Sequence, residues 1–374
     1  MRYVSISLFA ICSALGCSGP YRVGLMDGDE GGVLPSNGGS SAGGAGAGSG
    51  SGGGGVAATG GSLAGGLKSE CDLPAGDPGA LAAPFAAPDV VWQRLSLWLN
   101  GAAMEPPSTM PTTTTYDWSG EIAWAAFQQS QLREVAAPAI RRFVTTTFDF
   151  EPESAVANDW SNRLAASTEP LQLLYATQWG EHRTGIFGET EWLTRHRRAV
   201  SRGVNILHGV FNQMIPPPPP GVSTSIPESN ANLTDRERLA RHIADPVCNA
   251  CHSIIDPLGL ALEHFDATGS YRALDAGKPV DSSGSYTTAY SGEQFTFQGM
   301  EDLGPQLAQS CQARLAFADL NLKRALLDAG ILLEGEDITL AHQDDLSRVR
   351  QSFIHQHDYA TLIKAIAQTN AFLR

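Results

Sequence analysis

Asp245-Pro246-Val247-Cys248-Asn249-Ala250-Cys251-His252 is the stretch on which the reading of this chain turns. It contains a Cys-x-x-Cys-His run, the attachment pattern of c-type haem. Thiols three residues apart share one face of a helical turn, so Cys248 and Cys251 can add to the two vinyl groups of one porphyrin. His252 follows at once and can bring its imidazole to the iron as proximal ligand. Two other uses of the pattern fit less well. Zinc needs about four ligands, and no second Cys-x-x-Cys or His pair stands nearby. A reactive dithiol does not require the adjacent histidine. The expectation is one covalent haem c, provided the chain reaches a compartment where haem is attached.

The N-terminus bears on that condition. Met1-Arg2 is a minimal positive start, and Val4 to Leu15 is an apolar run too short to span a bilayer. Ala14-Leu15-Gly16-Cys17 resembles a bacterial lipoprotein cleavage site, with Ala14 where Leu is more usual. Residues 1–16 are therefore expected to be a lipoprotein signal peptide and Cys17 the lipid-bearing first residue of the mature chain. Several acyl chains on one residue anchor stably where a single chain is marginal. The alternative is a simple secretory peptide cut near Gly19. Residues 17–67 follow as a tether, since Gly38 to Gly66 is almost all Gly, Ser and Ala, with too little apolar surface to fold.

The rest, from Lys68 to Arg374, is long enough for two modest domains or one large one. A net charge of -14 argues against a nucleic-acid partner and suits either solubility or the steering of a basic partner. No later apolar run is long enough to cross a membrane. In an oxidising compartment the two remaining mature cysteines, Cys71 and Cys311, invite a disulfide; two buried free thiols are the alternative.

Along the chain the apolar spacing is helical. Pro88 to Trp98 suits an amphipathic helix ended by Asn100-Gly101. Ser119 to Phe148 reads as helix with a kink or break at Pro138, and Trp160 to Leu174 as helix with a fresh start at Pro170. Val204, Leu207, Val210 and Phe211 form another stripe. Pro216 to Pro220 forces an extended polyproline segment, read as a stiff spacer. Thr234-Asp235-Arg236-Glu237 is a capping box that opens a helix running to Ala244. Asp245-Pro246 should end it, and a further helical stretch should carry Leu258, Leu260, Leu262 and Phe265 to a stop at Thr268-Gly269. Tyr271 to Gly299 is turn-rich and predicts a small β-hairpin. Helix resumes after Met300, with Leu303, Leu307, Cys311 and Leu315 on one face, and continues to the end. The expected architecture is mainly α: a helical domain over 68–215, a Pro-rich linker over 216–233, and a cytochrome-c-like haem domain with a small β-hairpin insertion over 234–374.

Several separated stretches together resemble the planctomycete-type cytochrome c family, exported haem-c proteins built of adjoining domains of unknown function. They are Ser201-Arg202-Gly203-Val204, the Pro216 to Pro220 run, Asp235-Arg236-Glu237-Arg238-Leu239, the haem run itself, Ile255-Asp256-Pro257-Leu258-Gly259, Leu262-Glu263-His264-Phe265-Asp266, Gly269-Ser270-Tyr271-Arg272 and Asp281-Ser282-Ser283-Gly284. The close, Asp358-Tyr359 to Leu373, looks like that family's C-terminal domain. The resemblance is best over about 183–374. Two departures stand out: Leu315 to Leu320 replaces a Tyr-Ala-Leu-Gly-Arg-like stretch, and His264 sits where Asn is common. The resemblance implies haem binding and, by analogy, electron transfer, but no substrate.

A low-spin electron carrier needs a distal ligand, commonly Met or His. Met300 is the first candidate, followed by Met214 and His264, with an open iron as the alternative. Asp256-Pro257 is expected to shape a loop under His252, where a backbone carbonyl could accept the second imidazole N–H. Arg272 is a candidate contact for a haem propionate. His355 and His357 point to different helix faces, and no Ser/His/Asp signature, phosphate loop or carboxylate pair stands out. The function expected from the sequence is that of an exported, lipid-anchored monohaem cytochrome that exchanges one electron with an unidentified redox partner protein. Its rivals are a peroxidase-like enzyme with an open iron site and a surface binding or scaffold lipoprotein in which haem is structural.

Overall fold

The computed structural model describes residues 71, 86–103, 105, 132–216 and 232–374. Cys17, the 17–67 tether and most of the Pro-rich linker lie outside the described residues. The fold is mainly α with small two-stranded hairpins, as its apolar spacing predicts.

Helix α1 spans Pro88–Asn100, with proline at its first turn and Gly101 at φ +79° as its left-handed C-cap. Helix α2, Leu132–Thr147, runs unbroken through Pro138 rather than stopping there. Helix α3, Ala155–Ala165, is capped by the Ser154 hydroxyl, which accepts from the Ala157 N–H. A helical stretch does begin at Pro170, but it winds into a π turn over Gln172–Ala176. Strands β1, Gln178–Gly180, and β2, Arg183–Thr184, form a short antiparallel pair. Helices α4, Thr190–Arg195, and α5, Ala199–Phe211, complete the first part.

After the linker come α6, Asp235–His242, and α7, Pro246–Leu260. The predicted capping box is present on α6, with the Thr234 hydroxyl and the Glu237 carboxylate each accepting from the other's backbone N–H. Antiparallel pairs β3–β4 (Leu274–Asp275 with Lys278–Pro279) and β5–β6 (Gly284–Thr287 with Gln294–Phe297) fill the turn-rich segment, so one expected hairpin is two. Tyr286, Phe295 and Phe297 face inward from β5–β6 while their neighbours face out. The chain ends in α8 (Met300–Gln309), α9 (Cys311–Asp328), α10 (Ile338–Ala341), α11 (Gln343–Gln356), α12 (Tyr359–Ala367) and α13 (Asn370–Leu373). The expected face through Leu303, Leu307, Cys311 and Leu315 is divided between two helices. Ser310 takes extended backbone and caps the second, accepting from the Ala313 N–H.

One hydrophobic core runs from Val91 on α1 to Leu373 on α13 and takes in residues from both sides of 216–233. The stretches expected as separate domains, 68–215 and 234–374, are thus packed into one body. The reason is the pairing of α5 with α7, which lie against each other backbone to backbone. A Cβ added at Gly203 would stand 2.9 Å from the Ile255 carbonyl carbon, and one at Gly259 would stand 2.5 Å from the carbonyl carbon of Ala199. Only glycine permits that approach. A disulfide joins Cys71 to Cys311 at a Cα separation of 5.9 Å, tying a residue ahead of α1 to the first residue of α9.

Candidate functional site

Helix α7 is a single unbroken helix, although the sequence places a turn at Asp256-Pro257. Proline costs a helix the hydrogen bond to the carbonyl four residues back. Here that carbonyl belongs to Ser253, an exposed residue, so water can satisfy it. Asp245-Pro246, expected as a helix break, also opens this helix, which ends at Leu260 short of Leu262 and Phe265. Asp245 is its N-cap, accepting from the Val247 N–H at 2.9 Å, and Pro246 occupies the first turn.

Its two halves differ. Ile255, Asp256, Leu258, Gly259 and Leu260 are buried, whereas Pro246, Val247, Asn249, Ala250 and Ser253 are exposed. Cys248, Cys251 and His252 are half-buried between these sets. At about 100° per residue, the three project from the same stripe as Ile255 and Gly259, the stripe that seats α7 on α5. Both thiols are free.

The imidazole is oriented from within the helix. Nδ1 of His252 lies 2.8 Å from Oδ1 of Asp256, one turn on. Asp256 is only 5 % exposed, and its Oδ2 is buried without a hydrogen-bond partner. The expected acceptor was a backbone carbonyl in a loop. The structure instead supplies a carboxylate, because the helix continues and brings residue i+4 under the ring. A buried carboxylate with one partner is costly unless that partner draws on its charge. Metal-bound imidazoles do so, since they commonly donate their second N–H to a carboxylate. With Nδ1 engaged, Nε2 is the nitrogen left to ligate. Two free thiols and a carboxylate-oriented imidazole on one stripe meet the donor requirements of a c-type haem.

The other candidates fall elsewhere. Met300 is the first residue of α8, 4 % exposed, with its N–H bonded to the Ala261 carbonyl at 3.0 Å. That places it at the buried end of α7, nine residues past His252. Met214 is 56 % exposed, just beyond the C-terminal end of α5. His264 has Nδ1 3.1 Å from the Arg272 carbonyl and its ring stacked on Tyr271.

Arg272 is not free for a propionate. Its guanidinium donates to Asp275 at 2.9 Å, to Asp235 at 3.2 Å, to the Glu263 carboxylate, and to the Glu263 carbonyl at 3.1 Å. The carboxylates of Asp235, Glu263 and Asp275 lie close enough together to hold a metal ion, but Arg272 already supplies the positive charge among them. Burial raises the Glu263 carboxyl to about 7, against the pull of Arg272 and Arg202.

The sequence also left three roles unread. Arg202, 1 % exposed, donates to the carbonyls of His196, Leu262, Phe265 and Asp266, gathering the chain just past the end of α7. Burial lowers its guanidinium to about 10, so it stays charged at neutral pH. His196 lies 3.0 Å from the Ser201 hydroxyl through Nδ1 and 3.5 Å from Asp149 through Nε2. Ser201 is buried within α5, so this Ser-His-Asp line is packing and not a nucleophile. His242, at the end of α6, meets His252 edge to face with ring centroids 4.8 Å apart. It stands ten residues before His252, a spacing that signals proximity only once α6 and α7 are seen to fold back on each other.

The fold and site define a mainly helical protein organised on a half-buried Cys-x-x-Cys-His helix. Residues 183–275 match a family described as PSCyt3, protein of unknown function (DUF1588), a planctomycete cytochrome-c-type domain. That span contains α5, α6 and α7 whole. No curated protein and no solved structure matches the chain. Among the described residues no helix is long and apolar enough to cross a membrane.

Proposed function

We propose that this chain is an exported monohaem c-type cytochrome that transfers single electrons. The observation that carries the reading is the stripe of Cys248, Cys251 and His252 on α7, with His252 held by the buried Asp256 carboxylate at 2.8 Å. Cys248 and Cys251 would hold the porphyrin as thioethers, and His252 would present Nε2 to the iron. The haem, when bound, supplies a one-electron Fe(III)/Fe(II) couple. The protein's own part is to fix the ring, set the charge behind it and limit water at its edge. The planctomycete cytochrome match supports this reading by class.

Export is supported by the Cys71–Cys311 disulfide, which suits an oxidising compartment. Cys17 would carry the lipid that anchors the chain to the cell envelope, with the 17–67 tether holding the folded part clear of the membrane. The electron would pass to a redox partner protein.

The test is maturation of the full chain in a host competent for haem c. Haem-dependent peroxidase staining on a denaturing gel should mark the wild-type band and be lost in the Cys248→Ala/Cys251→Ala variant. An unstained wild-type band would refute the reading.

A further inference from the structure

We infer that His242 supplies the second axial nitrogen, so that the iron held by His252 is closed on both sides by histidine. This rests on the haem reading above and extends it to the opposite face of the iron.

The geometry that points to His242 is direct. Its ring lies against that of His252 at 4.8 Å between centroids and 73° between planes. Among the described residues neither nitrogen of the His242 ring has a hydrogen-bond partner. Both rings are half-buried at the mouth of the α6–α7 hairpin. Two imidazoles on opposite sides of one metal, at metal–nitrogen bonds of about 2 Å, have centroids about 6 Å apart. The rings must therefore separate by a little over 1 Å and turn from their T-shaped contact so that a nitrogen of each faces the metal.

The hairpin is built to allow that. The first turn of α6 is fastened. Asp235 and Glu237 are tied to Arg272 and Lys278, Arg236 donates to the carbonyls of Asp281 and Ser283, and Leu239 packs on Ala199 and Leu260. The end around His242 is less enclosed: Ala240, Arg241, Ala244 and Asp245 are exposed, and Ile243 is half-buried. An outward swing of this end moves two half-buried side chains, His242 and Ile243, and leaves the buried Leu239 in place. The other candidates lack this placement. Met300 is sealed at the far end of α7, Met214 is solvent-exposed, and the His264 ring is engaged by Tyr271 and the Arg272 carbonyl.

Two histidine ligands would leave no open position for peroxide or a diatomic gas. That choice separates the electron carrier from its peroxidase-like rival.

The experiment uses the full matured chain in the ferric state, read by electron paramagnetic resonance and near-infrared magnetic circular dichroism. Wild type should be low-spin with two nitrogen ligands. His242→Ala should be high-spin, retain its haem stain, and return to low-spin on addition of imidazole. His242→Met should remain low-spin, acquire a methionine–iron charge-transfer band and rise in midpoint potential. Met214→Ala and Met300→Ala should match wild type. A methionine band or high-spin iron in wild type would overturn the inference, as would an unchanged low-spin spectrum in His242→Ala. Absence of covalent haem from wild type would overturn the functional reading itself.

Discussion

Gly259→Ala tests whether the α5–α7 contact, on which the motif helix is seated, is as close as it looks. The substitution adds one methyl group. At this position it would stand 2.5 Å from the carbonyl carbon of Ala199, closer still to that carbonyl's oxygen, and 3.0 Å from the Gly203 nitrogen. An ordinary contact begins at 3.4 Å, so the helices must part by at least 0.9 Å. Both obstacles are backbone, so no side chain can swing aside. Overpacking of this kind costs about 3 kcal/mol. Alanine in a helix interior is itself better than glycine by about 1 kcal/mol, leaving a net loss of about 2 kcal/mol. The two effects have opposite signs, which makes the outcome decisive. Equilibrium urea unfolding of the full chain, followed by tryptophan fluorescence, should show a lower midpoint at unchanged slope. A variant as stable as wild type, or more so, would refute the close crossing and with it the account of how α7 is positioned.

Three other outcomes are expected. Asp256→Asn should raise the midpoint potential of the matured protein, because an amide draws less on the His252 N–H than a carboxylate does; an unchanged potential in a redox titration would separate Asp256 from the iron. Cys71→Ser/Cys311→Ser opens a loop of sequence separation 240, and should lower stability by about 5 kcal/mol in the chain-entropy account, read as the loss of urea midpoint relative to wild type. The third concerns pH. Burial, followed by Arg195 and Arg202, pushes the His196 imidazole down to about 3, and the half-exposed Asp149 does not reverse this. A folded value below the ordinary one means that the unfolded chain takes up the proton first, so stability falls as pH drops from about 6.5 toward 3. Near pH 5 the loss should be about 2 kcal/mol, absent in His196→Asn, when unfolding is compared with that near neutral pH.

What could be read from the chain alone was whatever depends on near neighbours. The Thr234–Glu237 capping box, the Pro88 start and Gly101 stop of α1, and the cap at Asp245 all act within one helical turn. So does the Cys248, Cys251 and His252 stripe. The reading failed where one local signal had two resolutions. Asp256-Pro257 looks like a turn, and becomes helix because the bond that proline forfeits falls on exposed Ser253. That single difference turns Asp256 from a loop residue into the acceptor for His252. Arg272 was open to a propionate role for the same reason. Its carboxylate partners Asp235 and Glu263 lie 37 and 9 residues away and meet only in the fold. The linker at 216–233 suggested two domains, since a proline run carries no information about what its flanks pack against. Helices α5 and α7, on either side of it, pack on each other through Gly203 and Gly259, and the core is continuous.

These corrections bear on function together. A helix that holds a redox group must be rigid where it orients the ligand and open where the group enters. Helix α7 meets both demands by ending its buried half at Ile255 and Asp256 and starting its exposed half one turn earlier. The glycine-mediated crossing with α5 and the Arg202 guanidinium, which gathers three carbonyls just past the helix, fix the buried half. Asp256 stands at the boundary, so the rigid half reaches the His252 ring through one 2.8 Å hydrogen bond. On the open side the covering element is the last turn of α6, and the group it presents is His242. Under the proposed haem reading, the side of His252 would be set by packing and the opposite side by the exposed end of the α6–α7 hairpin. The three helices that form this arrangement, α5, α6 and α7, all lie within the residues that match the family.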